Sequence, residues 1–318
     1  MVRKMFLFAF ILVSIGITGC NQKEKPKRIS LEKVETTEVM PGQVNEKHLR
    51  IAVGGMITPK EGLTYYRDFL DYIETKIGKK VDFIDREDYA EINEMLREGS
   101  LDAAFVCSGP YVDGHREFGM ELLAAPQAYG DTVYYAYIIV SKDSSISSFE
   151  DLRGKSFAFT DPLSNTGTLV PTYMLAKMHE TPDTFFKKYI FTSAHDKSIK
   201  AVAQGVIDGA AVDSLIWEYL NRTNPEFTSN TRIIIKSPPY AIPPVVVPMG
   251  LDPQIKEKLR EIFLNAHNDN EGREILSKMM IDKFVVIKDS SYDSIREMKS
   301  WPKLQKNREQ KKKEKRKK

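Results

Sequence analysis

The sequence predicts an α/β protein in which one chain builds two lobes, leaving the first to form the second and then returning. Three observations predict it. From residue 49 onward, short β-branched runs alternate with amphipathic helical stretches, the pattern of parallel sheets assembled from βαβ units. The alternation restarts after a polar loop at 141–148. Two extended segments, one near 134–140 and a proline-rich one at 237–248, stand where the chain would cross between the two sets. A single domain of about 250 residues is the alternative that periodicity leaves open.

Each element has its own warrant. Leu49 to Val53 reads as a strand. Pro59 to Ile77 sets Leu63, Tyr66, Leu70, Ile73 and Ile77 on one helical face. Before it, Thr58-Pro59-Lys60-Glu61 has capping-box spacing with proline at the first helical position. Val81 to Ile84 is an expected strand, Tyr89 to Leu96 a helix, Leu101 to Val106 a strand, and Tyr134 to Val140 a longer strand. In the second set, strands are expected at Ser156 to Phe159, Tyr189 to Thr192, Gly209 to Asp213 and Arg232 to Ile235, with helices at about 168–178, 196–205 and 214–221. Residues Ser237 to Pro248 are too rich in proline for a central strand, so an extended connector is expected there. Helical patterns return at Gln254 to His267 and Gly272 to Lys278. Lobe 1 is thus expected over 49–139 plus 241–300, and lobe 2 over 140–240, hinged by the two crossover segments.

The ends differ from this body. Arg3 and Lys4 precede a run from Met5 to Ile17 that is apolar apart from Ser14 and Gly16. Those thirteen residues reach only ~20 Å as a helix, short of the ~30 Å of a bilayer core, and read as a secretory signal over 1–19. Ile17-Thr18-Gly19-Cys20 resembles the lipobox of bacterial lipoproteins, which implies diacylation of Cys20; an ordinary signal peptide that happens to hold a cysteine is the alternative. Residues 20–48 are then the lipidated cysteine and a polar tether unable to bury a core. From Lys303 to Lys318 ten Lys or Arg stand against two Glu, while the rest of the chain has 37 basic and 42 acidic residues. The net +3 therefore belongs to a solvated tail at 301–318 and not to the folded body. Nucleic acid is a poor partner for an exported chain. The two cysteines, Cys20 and Cys107, leave no disulfide framework once Cys20 is acylated.

Asp161-Pro-Leu-Ser-Asn-Thr-Gly-Thr-Leu-Val-Pro171 carries the binding chemistry. It lies between an expected strand and a helix that Pro171 places near Thr168. A helix start ringed by Ser164, Thr166 and Thr168, with Gly167 allowing close backbone approach, is suited to an anion. A plain Ser/Thr cap explains the same residues.

This loop resembles the Asp-Pro-x-Ser-x-Ser/Thr-Gly-x-x-x-Pro loop of the phosphonate- and phosphite-binding proteins of ABC importers, with Thr166 at the Ser/Thr position. The Tyr66 helix, Phe105 to Tyr111, Tyr134 to Lys142, Ser193-Ala-His-Asp196 and Ile207 to Ser214 match in the same order, over roughly 49–290. The resemblance implies a type II periplasmic-binding-protein fold that closes by a hinge. It implies that Ser164, Thr166, Gly167 and Thr168 cradle the anion, that Tyr66 and Tyr134 wall the cleft, and that His195 and Asp213 face the ligand. Thr58 and Ser108 join this expected set. Each has a structural alternative: Tyr66 as core, His195 and Asp213 as helix caps, Thr58 as a capping residue. Cys107 departs from the small or polar residue expected there. It reads first as a small buried hydrophobe, and second as a thiol for a soft oxyanion such as arsenite.

The expected function is capture of phosphonate, phosphite or phosphate by a monomer that serves an ABC permease from a lipid anchor outside the cytoplasm. A sensory lipoprotein that signals to a membrane kinase is the alternative. There is no G-x-S-x-G, H-E-x-x-H or P-loop, and the five histidines lack metal-ligand spacing, so no catalysis, cofactor or metal is expected.

Overall fold

A computed structural model describes residues 48–54, 59–86 and 88–301. The expected signal segment, Cys20, the tether, Thr58 and the Lys-rich tail lie outside them.

In chain order the elements begin with β1 (Leu49–Gly54), α1 (Pro59–Ile77), β2 (Val81–Arg86), α2 (Tyr89–Arg97), β3 (Ala103–Phe105), α3 (Ser108–Phe118) and β4 (Glu121–Gln127). Next come β5 (Val133–Tyr134), β6 (Ala136–Ser141), β7 (Ser156–Phe159), a π-helical turn at Asn165–Leu169, α4 (Val170–Lys177) and α5 (Pro182–Phe185). They continue as β8 (Lys188–Phe191), α6 (His195–Ala203), β9 (Gly209–Asp213), α7 (Ser214–Thr223) and β10 (Thr231–Lys236). The chain returns through β11 (Tyr240–Ala241), β12 (Val245–Val247), α8 (Pro253–Asn265), α9 (Asn270–Lys278) and β13 (Lys283–Val285). A further helical stretch occupies 293–301.

Among the described residues, eleven of the thirteen strands form two main sheets. Lobe 1 holds the six-stranded order β13-β4-β12-β3-β1-β2, and lobe 2 the five-stranded order β10-β6-β9-β7-β8. β1 pairs in parallel with β2 and β3, and β7 with β8 and β9. Alternation along each strand feeds two core layers. Ile51 and Val53 pack with Phe69, Ile73, Phe263 and Phe284 on one side of the first sheet, while Ala52 and Ala104 turn to the other. In lobe 2, Phe157 and Phe159 face Phe149, Phe185 and Phe186, and Ala158 faces Ile199 and Val202. Phe157 stacks on Phe186 with ring centroids 4.4 Å apart.

The crossings are β5 and β11, which pair antiparallel as a separate two-stranded ribbon, Tyr240 opposite Tyr134 and Ala241 opposite Val133. The expected long strand from Tyr134 is therefore two strands, β5 in the ribbon and β6 in lobe 2. The proline-rich segment also departs from expectation. Val245–Val247 is a central strand of lobe 1, paired antiparallel with β3 and β4. Its prolines flank the three paired residues, and the Pro244 carbonyl still accepts from Val106 N–H at 3.0 Å. Proline removes a donor and not an acceptor, so this strand survives between prolines. Among the described residues no helix is long and apolar enough to cross a membrane.

Candidate functional site

Parallel strands of an open α/β sheet deliver the following helix starts to their carboxyl ends, where ligands bind. Here β3 leads into α3 in lobe 1, and β7, β8 and β9 lead into the π-turn, α6 and α7 in lobe 2. The interface between the lobes is closed by direct contacts. The Asp161 carboxylate accepts from Tyr89 N–H of α2 at 3.1 Å and from Leu163 N–H at 2.6 Å. A Cβ on Gly109, the second residue of α3, would lie 2.3 Å from the Leu163 carbonyl oxygen. Only glycine lets the two lobes meet so closely there.

Within the loop after β7, several expected binding atoms are engaged in building the turn itself. Ser164 caps it, its hydroxyl accepting from Gly167 N–H at 3.1 Å. The Thr168 hydroxyl donates to the Asp161 carbonyl at 2.8 Å. The Gly167 Cα faces Thr160, and an added Cβ would sit 1.8 Å from Thr160 Oγ1. Gly167 is thus demanded by packing on the strand end, and its amide is occupied. This corrects the expectation that it opens the backbone to a guest.

A different set of atoms in lobe 2 is buried without a hydrogen-bond partner: Thr160 Oγ1, Asn165 Oδ1, Thr166 Oγ1, His195 Nε2 and Asp213 Oδ2. Each such atom costs about 1–3 kcal/mol unless something else meets it. They come from the ends of β7 and β9 and from the first residues of the π-turn and α6. His195 and Asp213 are coupled, because Asp213 N–H donates to His195 Nδ1 at 3.0 Å. That bond assigns the ring proton to Nε2, making it an unmatched donor. Burial lowers the imidazole to about 3, so His195 is neutral. Asp213 caps α7 with one oxygen, Oδ1 accepting from Leu215 N–H at 2.7 Å. Burial raises its carboxyl to about 7, so near neutrality it holds its proton for much of the time and can donate. The expected cap role of Asp213 is present and uses only half of the carboxyl. His195 does not cap α6, whose N-cap is Ala194 without a side-chain bond.

Lobe 1 and the ribbon supply the opposing surface. The Tyr134 hydroxyl accepts from Asn165 Nδ2 at 3.1 Å and lies 3.8 Å from Cys107 Sγ. Ser108 donates its hydroxyl to the Ala241 carbonyl at 2.7 Å, tying α3 to the ribbon. Cys107 occupies the N-cap of α3 without capping it through its side chain; burial raises its pKa, outweighing the nearby amides of Asn165 and Gly109, and keeps it a thiol. Tyr66 packs edge-on to Phe105 at 4.9 Å. Burial and then the Asp213 carboxyl raise its phenol to about 12. Sequence reasoning named no role for Asn165 or Thr160; the amide inside a hydroxyl-rich loop was the available signal for Asn165.

A chain that crosses twice between two sheets, and pairs the crossings into one ribbon, is built as a two-lobed type II periplasmic binding protein. Over residues 52–292 the chain matches the family described as "ABC transporter, phosphonate, periplasmic substrate-binding protein", and it belongs to that family. It is 27% identical over 242 residues to the phosphonates-binding periplasmic protein of Escherichia coli K12, covering 74% of this chain and 71% of that one. The phosphate-import protein PhnD of Mycolicibacterium smegmatis is 25% identical over 272 residues, 80% of each chain. A solved binding component of an ABC phosphonate transporter from Pseudomonas aeruginosa superposes with a TM-score of 0.77 at 26% identity, covering 81% of this chain and 87% of that one. PhnD1 of Prochlorococcus marinus, solved in complex with methylphosphonate, shares the fold with a TM-score of 0.72 at 22% identity, covering 80% and 97%. The family consists of extracytoplasmic substrate-binding transport proteins.

Proposed function

We propose that this protein is the solute receptor of an ABC importer, capturing a phosphonate, phosphite or phosphate oxyanion between its lobes without transforming it. The observation that supports this most is the set of buried, unpartnered polar atoms on Thr160, Asn165, Thr166, His195 and Asp213. In this reading the Thr166 hydroxyl and His195 Nε2–H donate to the anion's oxygens, while the Gly167 and Leu169 amides stay bonded to Ser164 within the turn. Asp213 donates the proton that its burial retains. Ser164, Gly167 and Thr168 shape the cradle from behind, Tyr134 bounds it and Tyr66 walls it. None of the named donors is a Lys or Arg, so an oxyanion that keeps a proton of its own suits the site. Cys20 carries a lipid anchor that holds the receptor at a membrane outside the cytoplasm, as the lipobox resemblance implies.

Thermal unfolding of the purified chain tests the proposal with phosphate, phosphite, methylphosphonate, 2-aminoethylphosphonate, sulfate and arsenite. A true ligand at a hundredfold excess over its dissociation constant stabilises by ~2.7 kcal/mol. A phosphorus oxyanion should give that gain and sulfate should not. A gain from arsenite alone would replace this reading with one based on the thiol.

A further inference from the structure

Next to the polar cluster lies a cavity of about 80 Å³ with a hydrocarbon wall. Tyr66, Phe105 and Met279 line it from lobe 1, Leu215 and Ile216 from the first turn of α7, and Ile242 from the stretch after the ribbon. No Asp, Glu, Lys, Arg or His lines it. Two bonds of proximity join it to the anion site. Leu215 is both a wall residue and the amide donor to Asp213 Oδ1. Tyr66 is both a wall residue and the phenol that feels the Asp213 carboxyl. Two further wall residues, Tyr129 and Met280, are held at positive φ (54° and 56°) and touch each other, Tyr129 Oη to Met280 Sδ at 3.3 Å. A bare tetrahedral anion has no use for an apolar space of this size, which reaches the surroundings of Asp213 through Leu215 and Tyr66.

We infer that the preferred ligand is a phosphonate bearing a short uncharged alkyl group, its oxyanion on the Thr166–His195–Asp213 cluster and its alkyl chain in the Tyr66–Leu215–Met279 cavity. The inference rests on the proposed function and narrows it. A water-sized group needs roughly 10–15 Å³ of such space, so a chain of a few carbons fits. An alkyl chain gains by leaving water, about fourfold in affinity for each CH₂. An ammonium at the chain's end would be stripped of water against hydrocarbon, and no Asp or Glu among the described residues lines the cavity to pair with it.

Calorimetry on the purified chain with inorganic phosphate, methyl-, ethyl- and propylphosphonate and 2-aminoethylphosphonate tests this. The expected result is a rise of about fourfold per methylene from methyl to propyl, with 2-aminoethylphosphonate at least tenfold weaker than its near-isostere propylphosphonate. Leu215→Phe should collapse the propyl-to-methyl affinity ratio toward one. Leu215→Ala should move the optimum to a longer chain, and serves if the larger side chain prevents folding. A flat series, or 2-aminoethylphosphonate binding more tightly than propylphosphonate, overturns the inference and leaves the oxyanion receptor standing. Absence of binding by all of these compounds and by phosphite as well overturns both.

Discussion

At the lobe interface α3 of lobe 1 and the π-turn, α6 and α7 of lobe 2 all begin at the carboxyl ends of strands, yet their polar atoms fare differently. At α3 the Ser108 hydroxyl is committed to Ala241, and Cys107 is a buried thiol whose sulfur lies 3.8 Å from the Tyr134 hydroxyl. In lobe 2 the hydroxyl of Thr166, the Nε2 of His195 and one oxygen of Asp213 remain without partners although fully buried. The same topology therefore makes a finished surface on one side and an unfinished one on the other. The contrast teaches that helix starts alone do not mark a binding site; the state of their hydrogen bonds does.

The largest expected effect tests the part of lobe 2 that is finished. Gly167→Val drives a side chain into Thr160, and should cost about 3 kcal/mol or more in denaturant unfolding. Unchanged stability would show that the turn can move away from the strand. Next comes the contrast itself. Thr166→Val removes a hydroxyl with no partner in the ligand-free protein, so stability should hold or rise, while oxyanion affinity falls by roughly tenfold to a hundredfold, the worth of a hydrogen bond to a charged group. Ser108→Ala should do the reverse, losing about 1 kcal/mol of stability with affinity little changed. Identical behaviour of the two variants would erase the distinction between the lobes.

A smaller effect is hidden by cancellation. The Asp213 carboxyl is raised from 3.8 to about 7, so the folded state holds a proton the unfolded state has lost, and stability falls as pH rises from about 4 to 7. His195 is lowered from 6.5 to about 3, so the unfolded state gains a proton the folded state refuses, and stability falls as pH drops from about 6.5 to 3. Over pH 4–6.5 the two slopes oppose. Asp213→Asn should expose the His195 slope, stability rising with pH by up to ~1.4 kcal/mol per unit. A flat profile in that variant would mean that His195 is not neutral in the folded protein. The smallest expected effect is kinetic. Cys107 is buried against Asn165, so alkylation requires the lobes to part, and a saturating ligand should slow it in proportion to occupancy. Peptide-level mass spectrometry would follow the rate at Cys107 itself.

Much of the fold was legible because periodicity and punctuation agreed. Pro59–Ile77 and Gly209–Asp213 have the bounds that pattern and capping imply. The failures share a cause, namely local propensity overruled by tertiary contact. α3 opens with Ser-Gly-Pro and carries Gly114, where a Cβ would meet the Met120 side chain at 2.3 Å; glycines that serve packing disguise a helix. β4 reads Glu-Leu-Leu-Ala-Ala-Pro-Gln, a helix-forming composition that becomes a strand between β12 and β13. The candidate site was legible as a set of residues and not as a set of roles. Sequence spacing brings Ser164, Thr166, Gly167 and Thr168 to one turn, but which hydroxyl is free depends on the neighbouring carbonyls of Asp161 and Ala241, which only folding brings near.

The paired ribbon of β5 and β11 has a mechanical consequence. Two independent tethers would leave the lobes free to twist and slide as well as to swing. Fastened to each other through Tyr134–Tyr240 and Val133–Ala241, the crossings flex as a single leaf about one axis. Opening then has one principal coordinate, an angle, and the size of whatever is enclosed sets where along that angle the jaws come to rest.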